Sequence, residues 1–335
     1  MNCEPTQIIS SSSSSCQSSS TCSSNRFNTV DGLRSTLVAM LPNRKQLIIR
    51  LIIDSFVLLT ISIPILLFYQ IGQPYKRGFN CNDDSIRYPF LASTISSNLL
   101  FTYSSLIPII TFCITEYLLL RRLTLDQELS RRIWWRYYVW RIYLTLVPFA
   151  FACLTSQLIT DIAKYSIGRL RPHFIDVCRP RVNGEIIDRF SHCKLSPEEY
   201  ITEFECTRND LSARYQIKDS RLSFMSGHSS FSAVALMYAV IYIQLRFSWR
   251  QIGLFKPLLQ YLLICLTLFT GFSRISDYKH HWSDVLIGLI QGTLVAIICV
   301  CFVSDLFEQR NFYNKLKPSR KVINRSNKER NDSEL

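Results

Sequence analysis

Several features typical of other protein classes are missing from this chain of 335 residues. It contains no internal repeat strong enough to indicate a transporter built from two related halves. The first 30 residues lack the apolar stretch of a signal peptide, so we expect the first membrane crossing to act as an uncleaved signal anchor. No N-glycosylation sequon lies in the segments assigned below to the outer side, because the sequons at Asn324 and Asn331 both fall in the C-terminal tail.

Hydrophobic residues make up 48% of the chain and are concentrated in six blocks. Most blocks approach the roughly 20 residues that an α-helix needs to cross a bilayer. The fourth and fifth are shorter, and their length alone also fits a buried soluble helix or a re-entrant segment. We predict an all-α, polytopic membrane protein with six transmembrane helices. The blocks are Leu47–Tyr69, Leu99–Leu120, Ile142–Ile162, Phe231–Leu245, Pro257–Phe272 and Val285–Phe307.

The net charge of +13, from 38 basic and 25 acidic residues, would suit a nucleic-acid-binding protein. The basic residues instead flank the apolar blocks: before the first, between the second and third, between the fourth and fifth, and after the last. This pattern argues against a nucleic-acid partner and predicts that these four regions, including both termini, face the cytoplasm. The long segment between the third and fourth blocks is also basic, which weakens the charge argument for this orientation.

The chain is expected to have three parts. Residues 1–46, with a run of serines, should be a disordered cytoplasmic tail, and residues 308–335 a second, basic tail. Residues 47–307 should form the six-helix domain. Four of the 12 cysteines fall in segments assigned to the outer side, where one or two disulfides are expected with the pairing left open. Their wide spacing predicts no metal site. They are Cys81, Cys178, Cys193 and Cys206.

A first polar cluster, from Lys164 to Arg171, ends the third block. If the helix continues, both cations project from one face, and Pro172 marks where the helix stops. Lysine and arginine also commonly flank transmembrane helices and extend to the interface, so this alternative stays open for the cluster alone.

The second cluster, Ser226-Gly227-His228, opens the fourth block. Glycine allows a ligand to approach the backbone, and a helix N-terminus offers unpaired N–H groups to an anion. His228 could transfer a proton near neutral pH. The alternative is a serine N-cap with an incidental histidine.

The third cluster runs from Ser273 to Asp284 and includes Arg274, His280 and His281. Asp284 lies four residues after His280 on the helix entering the last block, so it is predicted to accept a hydrogen bond from one imidazole nitrogen. The other nitrogen would be free to attack an electrophile. A purely structural hydrogen bond between the two is the alternative.

In a six-crossing topology, all three clusters lie at the same face of the membrane. Together they supply three cations, helix N–H donors, a candidate acid and an oriented nucleophile. A phosphate group is the ligand that fits this set.

Lys-x6-Arg-Pro, Ser-Gly-His and Ser-Arg-x5-His-x3-Asp, in this order, resemble the signature motifs of the type 2 phosphatidic acid phosphatase superfamily, which includes vanadium haloperoxidases and bacterial acid phosphatases. Within it, the chain is most similar to the animal lipid phosphate phosphatases. The resemblance covers about Leu47 to Phe307 and implies a helical-bundle core similar to that of the acid phosphatases and haloperoxidases. The extended matches are Phe79–Pro89, Asp161–Phe174, Arg221–Ser232 and Ser273–Asp284.

The resemblance implies a role for each motif residue. His280 would attack phosphorus to form a phosphohistidine, Asp284 would orient it, and His228 would protonate the leaving alcohol. No metal or other cofactor is implied, so activity should be independent of Mg²⁺. The phosphate would be held by Lys164, Arg171 and Arg274, aided by Ser226 and the Gly227 N–H. His281 is interpreted as structural, and His173 and His192 as loop residues.

The implied substrates are phosphatidate, lysophosphatidate, sphingosine-1-phosphate or ceramide-1-phosphate. The implied location is a membrane, most simply the plasma membrane, with the site on the extracellular or lumenal side. Whether the chain forms a homo-oligomer is left open. Two features depart from the family: Met225 stands where much of the superfamily has proline, and the usual sequon before Ser-Gly-His is missing. Only the glycan is put in doubt.

Two other functions compete with this one. The chain could be a catalytically silent membrane protein of the same fold that acts through binding partners, although such relatives typically lack catalytic residues. A polytopic transporter would explain the intramembrane charges Asp54 and Glu116 as a transport path, whereas pairing within the bundle would explain them structurally.

Overall fold

The computed structural model describes residues 35, 37–124, 130–190, 200–208, 211–247, 253–308 and 310. Six of its helices are long and apolar enough to cross a membrane, which confirms the predicted all-α, six-helix architecture. They are α1 (Arg44–Gln70), α2 (Ser97–Thr124), α3 (Arg131–Ile167), α6 (Gly227–Arg246), α7 (Phe255–Ser276) and α8 (Trp282–Ile298). Two short helices, α4 (Phe174–Cys178) and α5 (Leu211–Ser220), lie between α3 and α6, and a π-helical turn, Cys299–Val303, extends α8.

Helix α6 is the centre of the bundle, and it packs most closely against α8. A Cβ atom at Gly292 of α8 would lie 2.2 Å from the backbone oxygen of Ser230 in α6. One turn earlier, a Cβ at Gly288 would lie 2.8 Å from the backbone oxygen of Ser226. Only glycine fits such close approaches, so these residues bring α8 against the start of α6. That start carries the Ser-Gly-His segment.

Helix α1 lies at the periphery, and none of its residues is buried. Its exposed apolar side chains suit contact with lipid tails. It contacts α3 through Arg50, whose guanidinium lies 5.5 Å from the centroid of the Trp140 ring. The Tyr143 hydroxyl of α3 donates a hydrogen bond to Asp54 of α1. Asp54 therefore pairs within the bundle.

Glu116 is buried and forms an ion pair with Arg246, whose Nε and Nη2 atoms lie 2.9 and 2.8 Å from the carboxylate oxygens. The Tyr242 hydroxyl donates a third hydrogen bond at 3.0 Å. Buried charges are found in proteins when they are paired in this way. Both intramembrane acids thus have structural partners, which removes the observation that had favoured a transport path.

Two small antiparallel sheets lie beside the bundle and, with α4, form what we call the disulfide lobe. In one sheet β1 (Phe79–Asn80) pairs with β4 (Tyr200–Ile201). In the other, β2 (Pro180–Val182) lies between β3 (Glu185–Ile186) and β5 (Glu205–Cys206). These strands were not predicted from the sequence, because two or three residues are too few to show an alternating pattern.

Three of the four cysteines predicted to form disulfides, Cys81, Cys178 and Cys206, are located in this lobe. Cys178 and Cys206 are joined by a disulfide, and Cys81 is also disulfide-bonded. Cys193 and His192 lie outside the described residues, as do residues 1–34 and 311–335 of the two predicted tails and both sequons.

Candidate active site

Lys164 and Arg171 do not share a helix face, so that expectation is wrong. Helix α3 ends at Ile167, because Gly168 adopts a left-handed conformation with φ 58° and its N–H bonds to the Lys164 carbonyl. This is the usual role of glycine at a helix C-terminus. Arg171 approaches from the following loop, where its N–H donates to the Ser220 carbonyl at 2.8 Å.

The Lys164 ammonium lies against the first residue of α6. A Cβ at Gly227 would be 2.9 Å from Lys164 Nζ, so glycine leaves the space that the ammonium occupies. The first N–H groups of a helix have no acceptor within the helix. An anion placed here would meet both backbone donors and the lysine cation.

Ser226 is the N-cap of α6. It is buried, and its Oγ accepts hydrogen bonds from the Ser229 N–H at 3.4 Å and the Ser229 hydroxyl at 2.9 Å. Its own N–H donates to the Asp284 carbonyl at 3.1 Å, which ties α6 to α8. The serine cap considered above is therefore present, and direct contact between Ser226 and a phosphate stays a prediction.

His280 is buried, and its Nδ1 atom lies 2.7 Å from the backbone oxygen of Ser223. A carbonyl oxygen can only accept, so Nδ1 carries the proton and Nε2 keeps its lone pair. Burial lowers the pKa of His280 well below its usual value, and the positive charges of Arg171 and Lys164 lower it further. The imidazole is therefore neutral and nucleophilic at physiological pH.

The predicted hydrogen bond between His280 and Asp284 is not formed, because His280 Nδ1 and Asp284 Oδ2 are 3.9 Å apart. The Asp284 carboxylate instead accepts from the Ser223 hydroxyl and from Arg169 Nη1, each at 2.6 Å. The Ser223 carbonyl already occupies His280 Nδ1, so Asp284 reaches the imidazole only through Ser223.

Asp284 also caps α8 together with His281. Its Oδ2 atom accepts from the His281 backbone N–H at 3.2 Å and lies 3.3 Å from His281 Nδ1. This reciprocal arrangement is a capping box. It places His281 in a structural position.

His228 lies in the first turn of α6, and its ring hydrogen-bonds the backbone of Ile95. Its Nε2 atom is buried and has no hydrogen-bond partner among the described residues. A buried polar atom of this kind needs a partner, so Nε2 is available to a substrate atom. The proximity of His228 also disfavours the charged form of His280.

Each arginine of the predicted site is held by one carboxylate that the sequence analysis did not single out. Arg171 Nη2 lies 2.7 Å from Asp219 Oδ1, and Arg274 Nη2 lies 2.8 Å from Asp277 Oδ2. Asp277 is in turn fixed by the Thr94 N–H at 2.8 Å. A guanidinium has five N–H donors, so both arginines keep donors for a phosphate.

His173 is buried outside this cluster of site residues and supports the loop before α8. Its Nδ1 atom donates to the Tyr278 carbonyl at 2.7 Å, and the Phe90 ring packs edge-on against it. Burial, followed by the charge of Arg171, lowers the pKa of His173 to about 4. The interpretation of His173 as a loop residue fits this position.

Ser223 and Arg169 are two further site residues that were not predicted from the sequence. Both lie inside the matched motif segments, so their positions were visible, but their roles depend on contacts with Asp284 across the fold. Among the described residues, no three His, Cys, Asp or Glu side chains are grouped as a metal site would require.

The arrangement joins a neutral nucleophilic imidazole, a second imidazole with a free nitrogen and three cations. Cations and helix N–H donors stabilise the charge that develops on phosphate oxygens, and a neutral imidazole can attack phosphorus. The chemistry that this set supports is phosphoryl transfer.

Comparison with known proteins also indicates a phosphatase. Residues 145–308 match the family model described as the PAP2 superfamily. A Drosophila melanogaster protein named for phosphatidate phosphatase activity is 42% identical over 80% of this chain and 72% of its own length. The human phospholipid phosphatase 2 is 38% identical over 77% and 84%, and the rat phospholipid phosphatase 1 is 39% identical over 77% and 86%. No solved structure matches the chain significantly.

Proposed function

Since the chain belongs to the PAP2 superfamily and, within it, to the animal lipid phosphate phosphatases, we propose that it hydrolyses lipid phosphate monoesters through a phosphohistidine at His280. The chain is an integral membrane phosphatase. The single observation that carries the mechanism is the bond from His280 Nδ1 to the Ser223 carbonyl, because it directs the lone pair to Nε2.

In the first step, His280 Nε2 attacks phosphorus as the bond from phosphorus to the lipid oxygen breaks. His228, protonated when the substrate dianion is bound beside it, gives its proton to that oxygen, and the lipid alcohol leaves. Lys164, Arg171 and Arg274 stabilise the negative charge on the three remaining oxygens.

In the second step, a water molecule attacks the phosphohistidine. His228, now neutral, accepts a proton from the water, the bond between phosphorus and Nε2 breaks, and inorganic phosphate is released. His280 returns to its neutral form. The same imidazole thus serves first as acid and then as base.

The reaction needs no metal ion in this proposal. The three cations and the N-terminus of α6 supply the charge stabilisation that Mg²⁺ provides in other phosphoryl transferases. The substrates proposed are phosphatidate, lysophosphatidate, sphingosine-1-phosphate and ceramide-1-phosphate, which share a phosphate monoester on a lipid.

The site is proposed to face the extracellular or lumenal side, with both termini in the cytoplasm and the plasma membrane as the location. The disulfide between Cys178 and Cys206 supports this side, because structural disulfides persist in oxidising compartments. Cys178 lies shortly after Arg171 in the chain, at the same end of the bundle. Intact cells should release phosphate from lysophosphatidate added outside them; release only after permeabilisation would contradict the proposed side.

The mechanism is tested with purified protein in detergent and phosphatidate, with EDTA present. Wild type should release inorganic phosphate, and a rapid quench should trap an acid-labile phosphoprotein. His280→Asn is the matched variant, because its amide can still donate to the Ser223 carbonyl while offering no nucleophile. This variant should fold normally, release no inorganic phosphate and form no phosphoprotein. Turnover by this variant, or loss of wild-type activity in EDTA, would contradict the proposal.

A further inference from the structure

Lys279 comes directly before His280 and has no role in the mechanism above. Its side chain is buried, and the ammonium lies 3.6 Å from the centroid of the Phe90 ring. The ammonium forms neither a hydrogen bond nor an ion pair with any residue that the structure describes. A buried ammonium is costly without a partner, and an aromatic face offsets only part of the loss of water.

Charged groups from three other parts of the chain face Lys279. They are Arg171 from the loop after α3, Asp219 from α5, and Arg274 and Asp277 from the end of α7. Each carboxylate already bonds to one of the arginines, at 2.7 and 2.8 Å. Neither acid is therefore a dedicated partner for the ammonium.

The cations at this end of the bundle outnumber the acids. Lys164, Arg171, Arg274 and Lys279 carry positive charge, and Asp284 is already bonded to Arg169. Three other carboxylates face these four cations, namely Asp161 beside Lys164, Asp219 beside Arg171 and Asp277 beside Arg274. The excess positive charge is that of Lys279, since each of the other three cations has a carboxylate beside it, and a phosphate anion would balance it. The three cations assigned to phosphate binding do not account for this excess once their carboxylates are counted.

We propose that Lys279 is a fourth phosphate-binding cation, which contacts the dianion of the substrate from the side of the Phe90 ring. This inference rests on the proposed function, because it concerns the same phosphate. It assigns the substrate's second negative charge to a residue outside the three family motif cations.

The position of Lys279 gives the proposal a pH signature. Burial, followed by the charge of Arg171, lowers the pKa of Lys279 to about 8. The ammonium is therefore present below about pH 8 and is lost above it. Inorganic phosphate is a mixture of monoanion and dianion at pH 7 and almost entirely dianion at pH 9, so its own titration favours tighter binding as the pH rises. A fall in affinity over this range must therefore come from the protein.

The test is calorimetric titration of inorganic phosphate into the full chain in detergent at pH 7 and pH 9. In wild type, the Kd should rise about tenfold between the two pH values, as expected for loss of one charged hydrogen bond. Lys279→Gln should bind about tenfold more weakly at pH 7 and show little further change. Lys279→Arg should bind at both pH values, because arginine does not titrate there.

Lys218 supplies a matched control, since its ammonium lies 5.7 Å from the Tyr165 ring but has no place in the site. Lys218→Gln should follow the wild-type curve. If Lys279→Gln binds phosphate like wild type at pH 7, or if Lys279→Arg loses affinity at pH 9 as wild type does, the inference is wrong. A merely structural role of Lys279 would not let arginine remove the pH dependence.

The same preparations distinguish this inference from the proposed function. Phosphate release by wild type and its loss in His280→Asn support the mechanism whatever Lys279 does. If those hold while all Lys279 variants bind phosphate alike, only the fourth cation is excluded. If wild type neither binds nor releases phosphate, both ideas fail together.

Discussion

His280 Nδ1 and Asp284 Oδ2 lie 3.9 Å apart, and Ser223 bonds to both residues. Ser223 uses its backbone carbonyl for the imidazole and its hydroxyl for the carboxylate. The acid therefore positions the nucleophile by fixing a segment of backbone and does not touch the imidazole itself. Outer hydrogen bonds of this kind commonly orient the group that reacts.

Ser223→Ala is expected to lower kcat about tenfold with little change in KM, because the backbone carbonyl remains but loses its support. Asp284→Asn should lower kcat at least as much. The double variant should be no worse than Asp284→Asn alone, since both changes remove the same interaction. Steady-state kinetics with phosphatidate give the kcat and KM of the three variants. Additive losses in the double variant would show that Asp284 acts independently of Ser223.

The six helices and the placing of the three motifs at one end of the bundle could be predicted from the sequence. Long apolar runs and the order of the motifs along the chain can be read without knowing any contact between distant residues. The end of α3 was not predicted, although Gly168 was a visible signal: glycine just after a run of helical residues commonly terminates a helix. Pro172 predicts a later end of the helix, and this later end places Arg171 on it.

The partners of the two arginines differ in how far the sequence could predict them. Asp277 lies three residues after Arg274, a spacing that places both on one helix face, whereas the partner of Arg171 is distant in sequence. Asp219 and Asp277 bond to Arg171 and Arg274, and the first of these contacts spans 48 residues of sequence. A contact between residues so far apart leaves no periodic pattern in the sequence. The indirect connection of Asp284 to His280 through Ser223 was not predicted for a further reason. The two residues are four positions apart, and this spacing made a direct hydrogen bond between them the simplest expectation.

His173 should make the protein less stable at acidic pH. Its pKa of about 4 in the folded state lies below that of an exposed histidine, so between these values the unfolded chain binds more protons. Stability should then fall with decreasing pH, at most by about 1.4 kcal/mol per pH unit from this residue. His173→Asn keeps a donor for the Tyr278 carbonyl and should flatten the dependence. Thermal unfolding of both proteins between pH 7 and pH 4.5 tests this, and parallel curves would contradict it.

Breaking the disulfide between Cys178 and Cys206 should destabilise the disulfide lobe. The two residues are 28 positions apart, for which chain entropy predicts about 3 to 4 kcal/mol. Cys178→Ser should therefore lower the melting temperature and make the lobe sensitive to protease. Cys265→Ser, at a free cysteine in α7, is the control and should change neither. An unchanged melting temperature in Cys178→Ser would show that the two sheets and α4 hold the lobe together without the bond.

Gly227 and Gly292 offer a paired test, because a methyl group would meet different atoms at each position. At Gly227 it would lie 2.9 Å from Lys164 Nζ, the end of a flexible side chain, whereas at Gly292 it would lie 2.2 Å from the backbone oxygen of Ser230. Gly227→Ala should displace the ammonium and raise KM about tenfold with little loss of stability. Gly292→Ala should instead separate α8 from α6 and cost about 1 to 3 kcal/mol.

Both variants are compared by steady-state kinetics and thermal unfolding. Leu294→Ala, at an exposed position on the same helix as Gly292, controls for the substitution itself and should leave both measurements near wild type. If Gly227→Ala unfolds easily but keeps its KM, then Lys164 is packed as rigidly as backbone. In that case the ammonium is a structural group, and the phosphate must be held without it.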